Sequence, residues 1–337
     1  MYLLFNSNKM FFIFILFFST LISISSNSWL GCWIGLEINL LSFIPLISNS
    51  NNLFNSETSL KYFLTQSIAS INFLFTILFN MILFQNFENN FLISILINSS
   101  MLMKMGSTPF HFWFPNIMEG LSWLNCFILM TWQKISPMIL LSYYMNINFM
   151  MLIMMLNVTI GAFGGFNQTS LRKLMAFSSI NNLGWMIAAM MISENLWMFY
   201  LFMYTFLVMM MCFLFSILNI FFMNQLYNFN TNFSIKICIM INFFSLGGLP
   251  PFLGFFPKWI IINFLLNNNF FIISFIFIMM SLIMLFFYIR IMYSSLMFFN
   301  FKFKWLKIFI KNKSMIFINF FSLISLLGMI LSTLFFL

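Results

Sequence analysis

Aspartate is missing from the whole chain of 337 residues, and glutamate occurs only five times. Histidine occurs once, as His111. Paired-acid hydrolytic sites and His-based zinc or haem sites are therefore poorly supplied, and two-metal sites as well. The four cysteines, Cys32, Cys126, Cys212 and Cys238, lie far apart inside apolar runs. They make no CxxC pair and no iron–sulfur spacing, so they read as small buried hydrophobes. No GxGxxG or P-loop pattern occurs, which argues against a nucleotide site. Charge of either sign is scarce, at 6% of residues, where a soluble domain carries about a quarter. Apolar residues fill the gap: 63% are hydrophobic, with 54 Phe and 32 Met, and the mean hydropathy is +1.03. This is the composition of an all-α integral membrane protein, since each spanning helix needs roughly 20 apolar residues.

The hydropathy pattern gives eleven apolar segments. They run over Met10–Ser25, Trp29–Ile47, Tyr62–Leu83, Phe91–Phe114, Leu121–Tyr144, Phe149–Phe166, Leu171–Ile192, Leu196–Met223, Ile235–Asn267, Phe270–Ser294 and Ser314–Leu337. The first has no small-residue cleavage site and reads as a spanning helix, not a signal peptide. If the helices alternate, one side receives Lys9, Lys61, Arg172, Lys173, Lys236, Lys302, Lys304, Lys307, Lys311 and Lys313. The other side receives Glu88 and Glu194 and no basic residue. By the positive-inside rule the N-terminus and the lysine-rich loop face the matrix or cytoplasm, and the C-terminus faces the opposite side. The net charge of +9 then follows from topology, and no nucleic-acid partner is implied. The Lys302–Lys313 cluster is interleaved with Phe301, Phe303, Trp305 and Phe309, which suits an interfacial loop on anionic lipid such as cardiolipin.

Two segments carry the same interruption. Pro109-Phe110-His111-Phe112-Trp113-Phe114-Pro115 and Pro251-Phe252-Leu253-Gly254-Phe255-Phe256-Pro257 share the pattern P-F-x-x-x-F-P. Proline removes a helical donor and clashes with the preceding turn, so both helices are expected to break at membrane depth. Such backbone is tolerated only inside protein or beside water. Each copy falls in the fourth helix of a run of five. The plan is therefore two inverted five-helix repeats (1–146 and 147–295), followed by a basic loop and a last helix (296–337), as in transporters.

The remaining charges lie inside spans. Glu37, Lys104, Lys134 and Lys258 are expected near span centres, where a charge costs at least ~2.5–3.5 kcal/mol and is functional by default. One glutamate does not neutralise three lysines, which disfavours a set of static ion pairs. An amine and a carboxylate at ~4 Å attract by about 4 kcal/mol at an effective dielectric near 20. Opening or closing such a pair switches the amine between holding and releasing a proton. The four residues are thus a candidate proton relay. Lys258 directly follows Pro257 in the second break and is the candidate release group. His111, Lys61 and Arg290 are auxiliary candidates. Arg290 lies near the basic side and Lys61 at a helix start, where both fit snorkelling cations. His111 fits aromatic packing in the first break as well as a proton role.

Six stretches together carry a family resemblance: Gly35-Leu36-Glu37-Ile38-Asn39, Lys61-Tyr62-Phe63-Leu64-Thr65-Gln66, Pro109-Phe110-His111-Phe112-Trp113, Thr131-Trp132-Gln133-Lys134, Asn167-Gln168-Thr169-Ser170-Leu171-Arg172-Lys173 and Leu246-Gly247-Gly248-Leu249-Pro250-Pro251. In that order, over nearly the whole chain, they resemble the chain 2 family of mitochondrial NADH:ubiquinone oxidoreductase (NADH dehydrogenase subunit 2), the antiporter-like membrane subunits of respiratory complex I. The resemblance implies a multi-pass subunit of the mitochondrial inner membrane, related to cation/proton antiporters, with the other membrane-arm subunits as partners. Animal forms lack the first helices of their bacterial relatives, in keeping with eleven segments. It implies that Glu37 is the family's helix glutamate and Lys104 its broken-helix partner. Lys134 is then the central lysine, and Lys258 the second broken-helix lysine on the exit side. It also implies no cofactor in this chain, with NADH, FMN, iron–sulfur clusters and the ubiquinone headgroup in other subunits. The alternative is a free-standing cation/proton antiporter, for which Glu37 alone makes a thin cation site. One departure stands out: Asn182 occupies a position where many relatives carry histidine, so a titrating role there is in doubt.

Overall fold

The computed structural model describes residues 7–48, 52–83, 90–228, 233–297 and 312–334. The described residues are helical throughout, with one isolated antiparallel bridge between Ser170 and Phe222. Helices are the expected solution here, because a segment in lipid must satisfy its own backbone polar groups. The chain divides into two compact units, Met1–Ile153 and Met154–Leu337.

In the first unit, α1 (Ser7–Ser25) and α2 (Trp29–Ile47) are joined by a short turn whose Ser28 caps α2, accepting a hydrogen bond from Gly31 N at 3.2 Å. α3 (Leu53–Leu83) is longer than the hydropathy pattern suggests. Its first turns use polar residues from Asn55 to Ser59, which a hydropathy reading leaves out. Lys61 therefore lies two turns inside α3 and not at a helix start, and it pairs with Glu57 at i, i+4 on an exposed face. The next apolar segment is split into α4 (Asn90–Met105) and α5 (Trp113–Gly120). The fifth is split as well, into α6 (Trp123–Met130) and α7 (Ile135–Tyr143), with a 3-10 turn over Trp132–Lys134 between them. That second interruption was not anticipated. Its cause is Pro137, which has no N–H to give the carbonyl of Gln133 and whose ring crowds it.

α8 (Ile147–Gly165) leads from the first unit into the second. The second unit centres on α9 (Leu171–Ile192), 83% buried over its most apolar stretch, where α1 is only 22% buried. α10 (Glu194–Leu218) starts on a Ser193 cap and ends at Asn219 with φ +52°. A short α11 (Met223–Asn228) follows. The next segment is split into α12 (Phe233–Gly247) and α13 (Phe255–Asn267), then come α14 (Phe271–Met297) and α15 (Asn312–Leu334). Eight helical stretches among the described residues, α6 to α7 (Trp123–Tyr143) counted as one, are long and apolar enough to cross a membrane, and shorter apolar helices include both halves of the second break. The four cysteines are buried and unpaired by disulfides. Glu88 and the lysines from Lys302 to Lys311 lie outside the described residues, as do the side chain of Lys313 and the C-terminal Leu337.

Candidate functional site

The two helix breaks share one backbone plan. α4 ends at Met105 and α12 at Gly247. Each is followed by a glycine in the left-handed region, Gly106 at φ +70° and Gly248 at φ +82°. In both, the next amide reaches back five residues: Ser107 N to Leu102 O and Leu249 N to Phe244 O. Gly106 N bonds three residues back, to Met103 O at 3.3 Å, whereas Gly248 N is shared between Ser245 O at 3.2 Å and Phe244 O at 2.9 Å. This is the Schellman arrangement, which stops a helix with a glycine and satisfies two of its last carbonyls. The chain restarts as helix at Trp113 and Phe255, with Pro115 and Pro257 in the first turn, where a missing N–H costs nothing. Gly254 is required by space: a Cβ there would sit 1.8 Å from Ser245 O.

In the first unit Lys104 occupies the last turn of α4 and is buried. It lines a small cavity, sized for about one water, together with Asn39, Tyr62, Gln66, Gln133 and Ser136. Gln66 Nε2 donates to the backbone oxygen of Lys104 at 3.0 Å, and Gln133 Nε2 donates to Asn39 Oδ1 at 2.8 Å. Glu37 lies half-buried on α2, two residues before Asn39, with Oε2 buried and accepting no hydrogen bond from the described residues. Among the described residues Glu37 and Lys104 form no direct ion pair. Lys134 ends the 3-10 turn and is 1% exposed. Its amine stands 5.5 Å from the centroid of the Phe114 ring. A Cβ on Gly106 would lie 2.9 Å from Phe114 Cβ and 3.0 Å from its ring, so Phe114 packs against both the first break and Lys134.

In the second unit Lys258 is buried in the first turn of α13. Its Nζ donates to Leu246 O at 3.3 Å and to Gly247 O at 3.1 Å, and lies 5.7 Å from the Trp185 ring centroid. It shares a second small cavity with Asn182, Tyr200, Tyr204 and Ser245. Tyr200 donates its hydroxyl to Asn182 Oδ1 at 2.8 Å, and Asn182 Nδ2 donates to Ser178 O at 2.9 Å. The side chain at position 182 is therefore held as a fixed, non-titrating member of the cavity wall. The tyrosines and amides of both cavities are functional candidates that the sequence reading passed over, Asn182 apart.

The auxiliary candidates fall elsewhere. His111 sits in the turn between α4 and α5, with Nδ1 3.3 Å from Pro109 O and its ring 4.2 Å from that of Phe112. Arg290 donates to Phe166 O at the end of α8 and lies over the Phe166 ring. Glu119 is half-buried in the last turn of α5.

Residues 26–284 match the family model described as NADH:quinone oxidoreductase/Mrp antiporter, transmembrane. The chain is 54% identical to NADH-ubiquinone oxidoreductase chain 2 of Anopheles gambiae, over 86% of each chain. It is 50% identical to the protein of that name from Aedes aegypti, over 98% of each. A chain of respiratory complex I from Thermus thermophilus, solved with bound aureothin, superposes with a TM-score of 0.82 at 19% identity, covering 97% of this chain and 79% of that one. Sequence along nearly the full length and the antiporter-like helical fold agree, and the chain belongs to the NADH-ubiquinone oxidoreductase chain 2 family.

Proposed function

We infer that the chain is a membrane-arm subunit of a proton-pumping NADH:ubiquinone oxidoreductase, and that it moves protons through Glu37, Lys104, Lys134 and Lys258. The observation that carries the reading is that each helix break holds a buried lysine beside a small polar cavity. A buried amine is kept in such a place at a cost of several kcal/mol if it is charged, so a purely structural role would favour an apolar residue. An ammonium that gives its proton to a cavity water becomes a neutral amine, and a neighbouring carboxylate or amine takes the proton up. Glu37 is placed to bias Lys104, and Lys134 follows on the far side of Phe114.

NADH oxidation, the flavin, the iron–sulfur clusters and the ubiquinone headgroup belong to other subunits in this reading. The protein sits in the mitochondrial inner membrane with its N-terminus and the Lys302–Lys313 loop in the matrix, where the loop meets anionic lipid, and with its C-terminus in the intermembrane space. Relatives named as oxidoreductase subunits at half identity or more favour this over a free-standing antiporter.

Two measurements test it together. Blue-native electrophoresis should show the chain in a very large NADH-oxidising assembly, and migration as a small independent species would rule out subunit membership. In that assembly Lys134→Met should lower protons moved and NADH oxidised together. Wild-type pumping and turnover in the variant would remove Lys134 from the path.

A further inference from the structure

The Schellman arrangement satisfies two of the four carbonyls a helix leaves open at its end and leaves those of the last two residues for other donors. In α4 these are the carbonyls of Lys104 and Met105, and in α12 those of Leu246 and Gly247. The corresponding carbonyl is met in both units, by different chemistry. In the first unit Gln66 Nε2, a neutral amide from α3, reaches Lys104 O at 3.0 Å. In the second unit the amine of Lys258 reaches Leu246 O at 3.3 Å and Gly247 O at 3.1 Å. The negative end of a helix also favours a cation at this point. Gly248 leaves the space: a Cβ on it would lie 3.1 Å from both Nζ and Cδ of Lys258.

We propose that Lys258 is the C-terminal cap of α12 as well as a proton group, so that the second helix break is closed by a titratable side chain where Gln66 closes the first with a fixed one. The first break keeps its shape whatever the charge on Lys104, whose amine donates to no backbone carbonyl among the described residues. The second break is held by the same amine that is asked to release a proton, so proton release and the closure of α12 on α13 are one event. The groups facing that amine are the Leu246 and Gly247 carbonyls, the Trp185 ring and the cavity side chains Asn182, Tyr200, Tyr204 and Ser245. Gly248 is a positioning residue that acts through Lys258.

The capping half of this proposal does not depend on proton movement, while the coupling rests on the function inferred above. Lys258→Gln keeps a backbone donor and cannot release a proton; Lys258→Met keeps the apolar stem and has no donor. Both are introduced into the full complex, and three quantities are read: yield of assembled complex, its thermal midpoint, and protons pumped per electron. The Gln variant should assemble in near-normal yield and melt near the wild type, whereas the Met variant should assemble poorly and melt several degrees lower. Equal yield and equal melting in the two variants, whether both are high or both low, overturns the cap. Pumping should be lost in both. A Gln variant that pumps normally would refute the proton role of Lys258, and with it the coupling, while leaving the cap standing if the two variants still differ in stability.

Discussion

Glu37 on α2 and Lys104 on α4, an acid and an amine of one unit, form no direct ion pair among the described residues. The other polar groups of the cavity that Lys104 lines are amides and hydroxyls, those of Asn39, Tyr62, Gln66, Gln133 and Ser136, and no carboxylate or imidazole. Such a lining can hold water and orient it without trapping the proton that passes. If the carboxylate works on the amine, the effects of Glu37→Gln and Lys104→Met on turnover should not add. A double-mutant cycle should return a coupling of about 0.5–3 kcal/mol in the transition-state comparison. A coupling of zero within error would mean that the two act independently. Asn182 makes the corresponding point in the second unit. Its amide is fixed at both ends, to Tyr200 and to Ser178, so the cavity beside Lys258 has a polar wall with a set direction.

At the scale of elements, the breaks are the decisive feature, and their construction predicts how they fail. Gly254→Ala would drive a methyl group into Ser245 O, a backbone atom that cannot swing aside. Overpacking of this kind costs roughly 1–3 kcal/mol or more, so the complex carrying it should assemble poorly, as judged by the amount of intact complex in native gels. Normal assembly would show that α12 and α13 can separate freely at this point. The two proline-bounded breaks were readable in the sequence because proline acts locally, through its missing N–H and its ring. The interruption at Lys134 was equally local, but Pro137 was not followed back to the carbonyl of Gln133. The extra turns of α3 were hidden for another reason. A hydropathy window sees Glu57 and Lys61 as the end of a span, whereas a helix end carries an i, i+4 ion pair without difficulty. The charged members of the site could be named from sequence because charge is rare in an apolar run. Gln66, Tyr200 and Gly248 could not, since their roles depend on which carbonyl or hydroxyl a distant helix brings within 3 Å or so.

For the molecule as a whole, the sorting of loop charges sets the expected orientation. Protease added from the matrix side should cut the Lys302–Lys313 loop, and protease added from the intermembrane-space side should not. Cleavage from the second side would change the number of crossings read from the sequence. The burial of all four thiols has a use of its own. A chain whose native cysteines are shielded within the fold is a quiet background for water-soluble thiol reagents, so an introduced cysteine reports its own surroundings. Ser136 and Ser245 are both fully enclosed, one in each cavity wall, and cysteine replaces serine with little change in volume. Labelling at those two positions, during turnover and at rest, would time the wetting of each cavity separately, without relying on the proton count that the wetting is meant to explain.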